Sequence, residues 1–287
     1  MADTLVMYWN RDLYSNAGLA RPPSKWGEFY GLTNTLGKVD ADLNISQSLI
    51  GMGEGQNVNN IREILATLFL QEQNPIIGYN SLRNSYEPTI GGNFSGPGIE
   101  SALRFYTEFS NPTRSSYTWN RSLPRTDQAF LSGQLATYLG MSSEIQSLRQ
   151  RNPNLNFALA EIPAVESDGN RPKSVYTRVY GLVIPRSTDN YYGAQIIAQL
   201  MARPESAELF SNAIGLTPVH RDLVSQVSDE GYKDILKRQV IYGDSFLDPN
   251  EPLTERSFRD MVENITSGRR SLNESIDIAN NEIKLSL

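Results

Sequence analysis

The chain has 287 residues, with 26 Lys and Arg against 32 Asp and Glu, for a net charge of −6. An acidic chain without a basic block cannot cheaply displace counterions from phosphates, which argues against a nucleic-acid partner. With no Cys and one His, His220, it cannot assemble the usual zinc, iron–sulfur or copper ligand sets, and no cofactor is expected.

The length predicts about two domains, and 39% hydrophobic residues is enough to bury a core in each. The longest apolar runs, around Ile64-Leu65-Ala66 and Leu68-Phe69-Leu70, fall far short of the ~20 residues of a membrane span. Residues 1–20 hold no basic segment followed by an apolar stretch, so no signal peptide is expected there.

Short apolar runs alternate with amphipathic helices, the pattern of an α/β protein. Thr4-Leu5-Val6-Met7-Tyr8-Trp9 reads as a strand, after which Asn10 caps a short helix ending at Gly18. Pro22-Pro23 breaks the chain, and Ser24 is placed to cap a helix through about Leu36. Leu43 to Met52 reads as a buried strand that leads into a glycine loop. Ile61, Ile64, Leu65, Leu68 and Phe69 form one helical stripe, and a further helix is expected from Pro97. A helical turn through Ala129-Phe130-Leu131 stops at Gly133, and 134–140 and 155–160 look like strands around a helix capped at Ser142 or Ser143.

Glu166 to Ser174 is the clearest linker, polar and aperiodic. Val175 to Pro185 resumes as a strand, and helices are expected near 190–202, 204–214 and 255–267, the last stopped by Gly268. Ser271-Leu272-Asn273-Glu274 is a capping box for a final helix.

The motifs that invite chemistry mostly fail on their own terms. Gly51-Met52-Gly53-Glu54-Gly55 has Gln56 where a dinucleotide fingerprint needs its third glycine. Gly31 to Gly37-Lys38 has the ends of a phosphate loop, but Val39 stands where Mg²⁺ requires Ser or Thr. Asp40-Ala41-Asp42-Leu43-Asn44 opens like a calcium loop, but Ile45 replaces the turn glycine, so a solvated turn is expected. There is no G-x-S-x-G turn to offer a nucleophile, and His220 reads as a surface or capping residue.

Carboxylates are numerous, so a glycoside hydrolase or lyase pair stays open as the alternative. Trp119 sits in the polar run Ser115-Ser116-Tyr117-Thr118-Trp119-Asn120, where it either offers a flat face to a sugar ring or pins the loop to the core. Trp26 reads as core, and Trp9 is ambiguous.

Three segments together resemble the extracellular solute-binding proteins of ABC importers, the family that includes maltose-binding protein. They are Asp3 to Leu13 with Ala17-Gly18-Leu19 and Pro22-Pro23-Ser24-Lys25-Trp26; Ala129 to Gly140 with Asn152-Pro153-Asn154; and Gly181-Leu182-Val183-Ile184 with Ala202-Arg203-Pro204-Glu205 and Thr217-Pro218-Val219-His220. The resemblance implies an α/β fold of the periplasmic-binding-protein-like type II class: the second lobe of such a protein, with a remnant of the first. Residues 1–175 and 228–287 would form the larger lobe and 176–227 the remnant.

The resemblance also implies a function without bond chemistry. A sugar-like small-molecule solute would sit between lobes that close by hinge bending, for delivery to a membrane permease, with the intact protein extracytoplasmic. Contact positions carried over are Asp3 at the first interlobe crossing, Gln56 and Asn57 after the glycine loop, and the region of Trp119. Ser142 and Ser143 follow, where sugar binders often have an aromatic, then Tyr176 at the second crossing and Phe246 in the C-terminal loop. A single cleft wall predicts weak binding. Apolar positions such as Ile197, Leu200 and Met201 would lack their usual sheet, so that segment is expected to pack differently, to be poorly ordered, or to be covered by a second copy of the chain.

Overall fold

The computed structural model describes residues 1–91, 97–165, 173–228 and 230–287; of the linker read at 166–174, only Lys173 and Ser174 are among them. In chain order the elements begin with β1 (Ala2–Asn10), α1 (Arg11–Asn16), α2 (Glu28–Leu36), β2 (Lys38–Val39) and β3 (Ile45–Ile50). Next come α3 (Ile61–Gln71), a hairpin of β4 (Ile77–Asn80) and β5 (Ser85–Pro88), α4 (Pro97–Glu108), α5 (Thr126–Leu131) and β6 (Leu135–Met141). A 3-10 turn (Ser142–Glu144) leads to α6 (Ile145–Arg151), β7 (Phe157–Ala160), β8 (Val175–Val179), α7 (Tyr191–Met201) and α8 (Pro204–Ile214). The chain closes with α9 (Arg221–Val224), α10 (Gly231–Ile241), β9 (Gly243–Asp244), α11 (Glu251–Thr266) and α12 (Leu272–Lys284).

β1 is the spine of the main sheet, whose order is β2-β3-β6-β1-β8-β9 with β7 also on β1. Its uninterrupted apolar run follows from that position, because a strand paired on both sides and covered on both faces has no solvent side to alternate with. β1 runs antiparallel to β6, with Leu5 opposite Met141, and antiparallel to β8, with Asp3 opposite Arg178. The start of β1, the end of β6 and the end of β8 therefore meet at one end of the sheet.

Several helix signals act as the sequence predicts. The Asn10 side chain accepts from the backbone of Asp12 and Leu13, and Ser271 and Glu274 form their reciprocal cap. Gly18, Gly133 and Gly268 each hold positive φ just after a helix. α3 buries its apolar stripe and nearly everything else, including Arg62, Glu63 and Thr67, because β8, α4 and α11 pack around it.

Other expectations need correction. α2 starts at Glu28 rather than at Ser24, whose backbone N–H donates to Glu28 Oε2 at 2.9 Å, so the carboxylate and not the serine makes this contact. β3 starts at Ile45 because Asp40 accepts from the backbone N–H groups of Asp42 and Asn44, closing a turn in which Leu43 takes φ 65°. β8 stops at Val179 rather than Pro185, since its pairing with β1 ends at Ala2. The β4–β5 hairpin and α10 carry no clear periodic signal and are not anticipated.

The glycine loop after β3 is built for packing. Gly53 has φ 109°, and a Cβ there would lie 2.6 Å from the Ser110 backbone nitrogen. Close approach of two backbones, not a bound phosphate, accounts for this glycine.

Candidate functional site

At the shared end of the sheet, Asp3 is buried and both of its carboxylate oxygens are engaged. Oδ1 accepts from Ser142 Oγ at 2.7 Å and from the Ser143 backbone N–H at 2.9 Å, while Oδ2 accepts from Ser143 Oγ at 2.8 Å. Ser142 Oγ also accepts from the Thr4 backbone N–H at 3.3 Å. Asp3 thereby fixes the turn after β6, with Ser142 buried and Ser143 facing solvent.

Glu144 closes the same turn. Its Oε1 accepts from the Met141 backbone N–H and from Asn60 Nδ2, each at 2.8 Å, and its Oε2 accepts from the Tyr138 hydroxyl. Burial raises its pKa above the ordinary carboxylate value, against the opposing effect of the Tyr138, Met141 and Asn60 hydrogen bonds. The folded state therefore holds this proton more tightly than the unfolded chain. That contribution is complete below the ordinary carboxylate pKa and is lost as pH rises through the raised folded value. Glu144→Gln is accordingly expected to gain stability relative to the wild type between about pH 4 and about pH 8. Urea unfolding of both proteins at the two pH values measures this; a relative loss would mean that the ionised carboxylate is the favoured form.

Beside this turn, Arg62 from the first turn of α3 reaches across to β8 and to the segment before α11. It donates to the Tyr176 hydroxyl at 2.7 Å, to Glu63 Oε1 at 3.0 Å and, through Nε, to Asp248 Oδ2 at 2.8 Å. Its guanidinium carbon lies 5.0 Å from the ring centroids of both Tyr176 and Phe246. Burial alone would lower its pKa, but Tyr176, Glu63 and Asp248 outweigh that and hold it above the usual value. Arg178, opposite Asp3 in the sheet, completes the network with Glu63 at 3.5 Å and Glu251 at 3.1 Å.

The structure thus brings the candidate residues into three groups. Asp3, Ser142 and Ser143 bond to one another, and Tyr176 and Phe246 meet around Arg62, with ring centroids 5.9 Å apart. Asn57 and Trp119 form the third, Trp119 Nε1 donating to Asn57 Oδ1 at 3.0 Å, while Asn57 Nδ2 donates to the carbonyls of Asn120 and Leu123. Trp119 is fully buried, so of its two roles the structure shows the core one. Gln56 is exposed, and its carbonyl accepts from Arg259. Trp26 is core, its Nε1 donating to Gln71 at 2.7 Å, and His220 caps α9 through Nδ1.

A cavity of about 440 Å³ opens beside the Asp3 turn. Ser142, Ser143, Gln146 and Arg149 line it, together with Glu208, Ser211 and Thr217 from α8 and after it and Glu230, Tyr232, Lys233 and Lys237 at α10. Its volume suits a small solute, and its lining is rich in hydroxyl, amide and charged groups. Arg149 lies over the Tyr232 ring at 4.9 Å, and Lys233 pairs with Glu230 at 2.8 Å. Sequence reasoning missed Arg62, Arg149, Tyr232 and Lys233, because charged residues spaced along helices look like ordinary solvated faces. Of the carboxylates, Glu54 and Glu263 are buried near one another and share Arg121, but neither lines this cavity. Among the described residues no group of His, Cys, Asp and Glu is arranged to hold a metal ion, and no helix is long and apolar enough to cross a membrane.

The family of bacterial extracellular solute-binding proteins matches residues 1–235, and the chain belongs to it. No curated protein matches the sequence closely enough to show kinship. Among solved structures, CpMnBP1 with mannobiose bound is similar at a TM-score of 0.68 and 17% identity, covering 99% of this chain and 70% of that one. CpMnBP1 with mannotriose bound gives a TM-score of 0.69 at the same identity, covering 99% of this chain and 71% of that one. The shared fold is the α/β fold of periplasmic solute-binding proteins, and the protein is a solute binder, not an enzyme.

Proposed function

We propose that the chain binds a carbohydrate-type solute in the cavity beside Ser142 and Ser143, as the receptor component of an ABC importer that delivers the solute to a membrane permease. The observation that carries this reading is the Asp3-anchored serine turn at the rim of a polar cavity, in a member of an extracellular solute-binding family. Ser143 contacts the solute, and Asp3 and Ser142 hold it in place. None of Tyr176, Phe246 and Gln56 lines this cavity: Tyr176 and Phe246 hold Arg62 at the second crossing, and exposed Gln56, in the loop after β3, is left as a contact outside it. Asn57 and Trp119 brace that loop from behind.

In this reading residues 1–175 and 228–287 act as one lobe and 176–227 belongs to the other. Supporting the division, no hydrophobic residue between Tyr176 and Leu223 is fully buried. The sugars bound by CpMnBP1 make mannobiose and mannotriose the first solutes to test.

The test is calorimetric titration and thermal melting with a panel of neutral oligosaccharides including both, alongside a reducing-end assay. One or more sugars should bind with a Kd weaker than about 100 μM, raise the melting temperature and remain uncleaved. Ser143→Trp should weaken that binding by filling the cavity rim. Release of reducing ends, or no response to any sugar at millimolar concentration, would overturn the reading.

A further inference from the structure

Glu54 and Glu263 are buried carboxylates that the cavity leaves unused. Their side chains are 6% and 9% exposed, and one half-exposed arginine serves both: Arg121 Nη2 lies 3.2 Å from Glu54 Oε2, and its Nη1 lies 3.8 Å from Glu263 Oε2. Held on one guanidinium, the two side chains come within hydrogen-bonding reach of each other. Both are tied to the glycine loop after β3. Glu54 belongs to it, and its carbonyl accepts from the Tyr106 hydroxyl at 2.9 Å, while Glu263 reaches from α11 to accept from the Gly55 backbone N–H at 3.3 Å. The loop lies tight against α11, since a Cβ on Gly55 would stand 2.6 Å from the Arg259 carbonyl.

The charged and titratable groups around the pair come from three places. Arg121 precedes α5, and Tyr106 on α4 is kept neutral by burial. On α11, Arg259 donates to the carbonyls of Gly55 and Gln56 and pairs with Glu255. Arg121 is therefore the one cation that pairs with Glu54 and Glu263 among the described residues. Two anions against it leave an uncompensated charge where water has little access, whereas one shared proton restores the balance. Burial accordingly raises the pKa of Glu54; Arg121 opposes the rise and Glu263 reinforces it.

We propose that Glu54 and Glu263 hold one proton between them and form a latch that clamps the glycine loop to α11, releasing the loop, and exposed Gln56 with it, when the proton passes to solvent. The folded state holds this proton more tightly than the unfolded chain does. The latch is therefore complete below the ordinary carboxylate pKa and is lost as pH rises through the raised folded value. It concerns the loop itself and stands whatever solute the protein binds.

Hydrogen exchange of residues 53–57 at about pH 5 and about pH 8, corrected for intrinsic exchange, reads the latch, with the buried amides of α3 as the reference for the fold as a whole. In the wild type, protection of the loop relative to α3 should fall at least about tenfold between the two pH values. In Glu54→Gln it should stay constant, because the carboxamide donates to Glu263 at either pH, and Glu263→Gln should behave in the same way. The double variant should be less protected than either single one at both pH values, since it leaves Arg121 without a carboxylate. Wild-type protection that is the same at both pH values would overturn the proposal. So would a loss in each single variant as large as in the double, which would make both carboxylates ionised partners of Arg121.

Discussion

Arg62→Ala is expected to destabilise the protein by about 3–5 kcal/mol, because it leaves the buried Asp248 carboxylate without its cation and Glu63 with Arg178 alone. Arg62 and Asp248 have side chains 3% and 4% exposed, and Glu63 is 10% exposed, so water cannot take the place of the guanidinium. The loss would be a large part of a typical folding stability of about 5–15 kcal/mol. Arg62→Lys should recover only part of it, since an ammonium cannot span Asp248, Glu63 and the Tyr176 hydroxyl while packing against two rings. Adding Asp248→Asn to Arg62→Ala should reduce the cost, because it removes one stranded charge. Urea unfolding of the four proteins measures the set. A cost below about 1 kcal/mol for Arg62→Ala would place the network with solvated surface pairs and remove the anchor we assign to Tyr176 and Phe246.

Trp119→Ala should cost a further class of energy, about 3–5 kcal/mol for a large aromatic lost from a packed core. Trp119→Phe keeps most of the volume but strands Asn57 Oδ1, and is expected to cost about 1–3 kcal/mol. The pair also separates the two roles open to this residue in the sequence. A core residue lowers stability in both variants with little change in sugar affinity once the protein is folded. A stacking platform would do the reverse in Trp119→Phe, changing affinity at nearly constant stability.

Much of the fold is legible from local chemistry. The uncharged run at Thr4 to Trp9 predicts a central strand, the i, i+3, i+4 stripe from Ile61 predicts α3, and the caps at Asn10 and Ser271 form as drawn. Less legible are elements whose signal comes from their neighbours. β8 looks as if it should run to Pro185, yet it ends where its partner strand ends, and the apolar residues beyond it stay exposed. α10 carries too little apolar contrast to announce itself, and with it went Tyr232 and Lys233 on the cavity wall.

The candidate site divides the same way. The resemblance of three sequence segments to solute-binding proteins selected Asp3, Ser142, Ser143, Tyr176 and Phe246, but not that these fall into an Asp3-serine turn and an Arg62 node. By itself the sequence determined what short-range forces can specify: helix periods, caps, a buried strand, and the absence of soft metal ligands. Tertiary structure alone decided that Trp119 turns inward, that Arg62 is buried among acids, and that Ile197 and Leu200 of α7 face solvent. Those outcomes depend on residues distant along the chain, because burial and ion pairing are properties of what packs against a side chain rather than of the side chain itself.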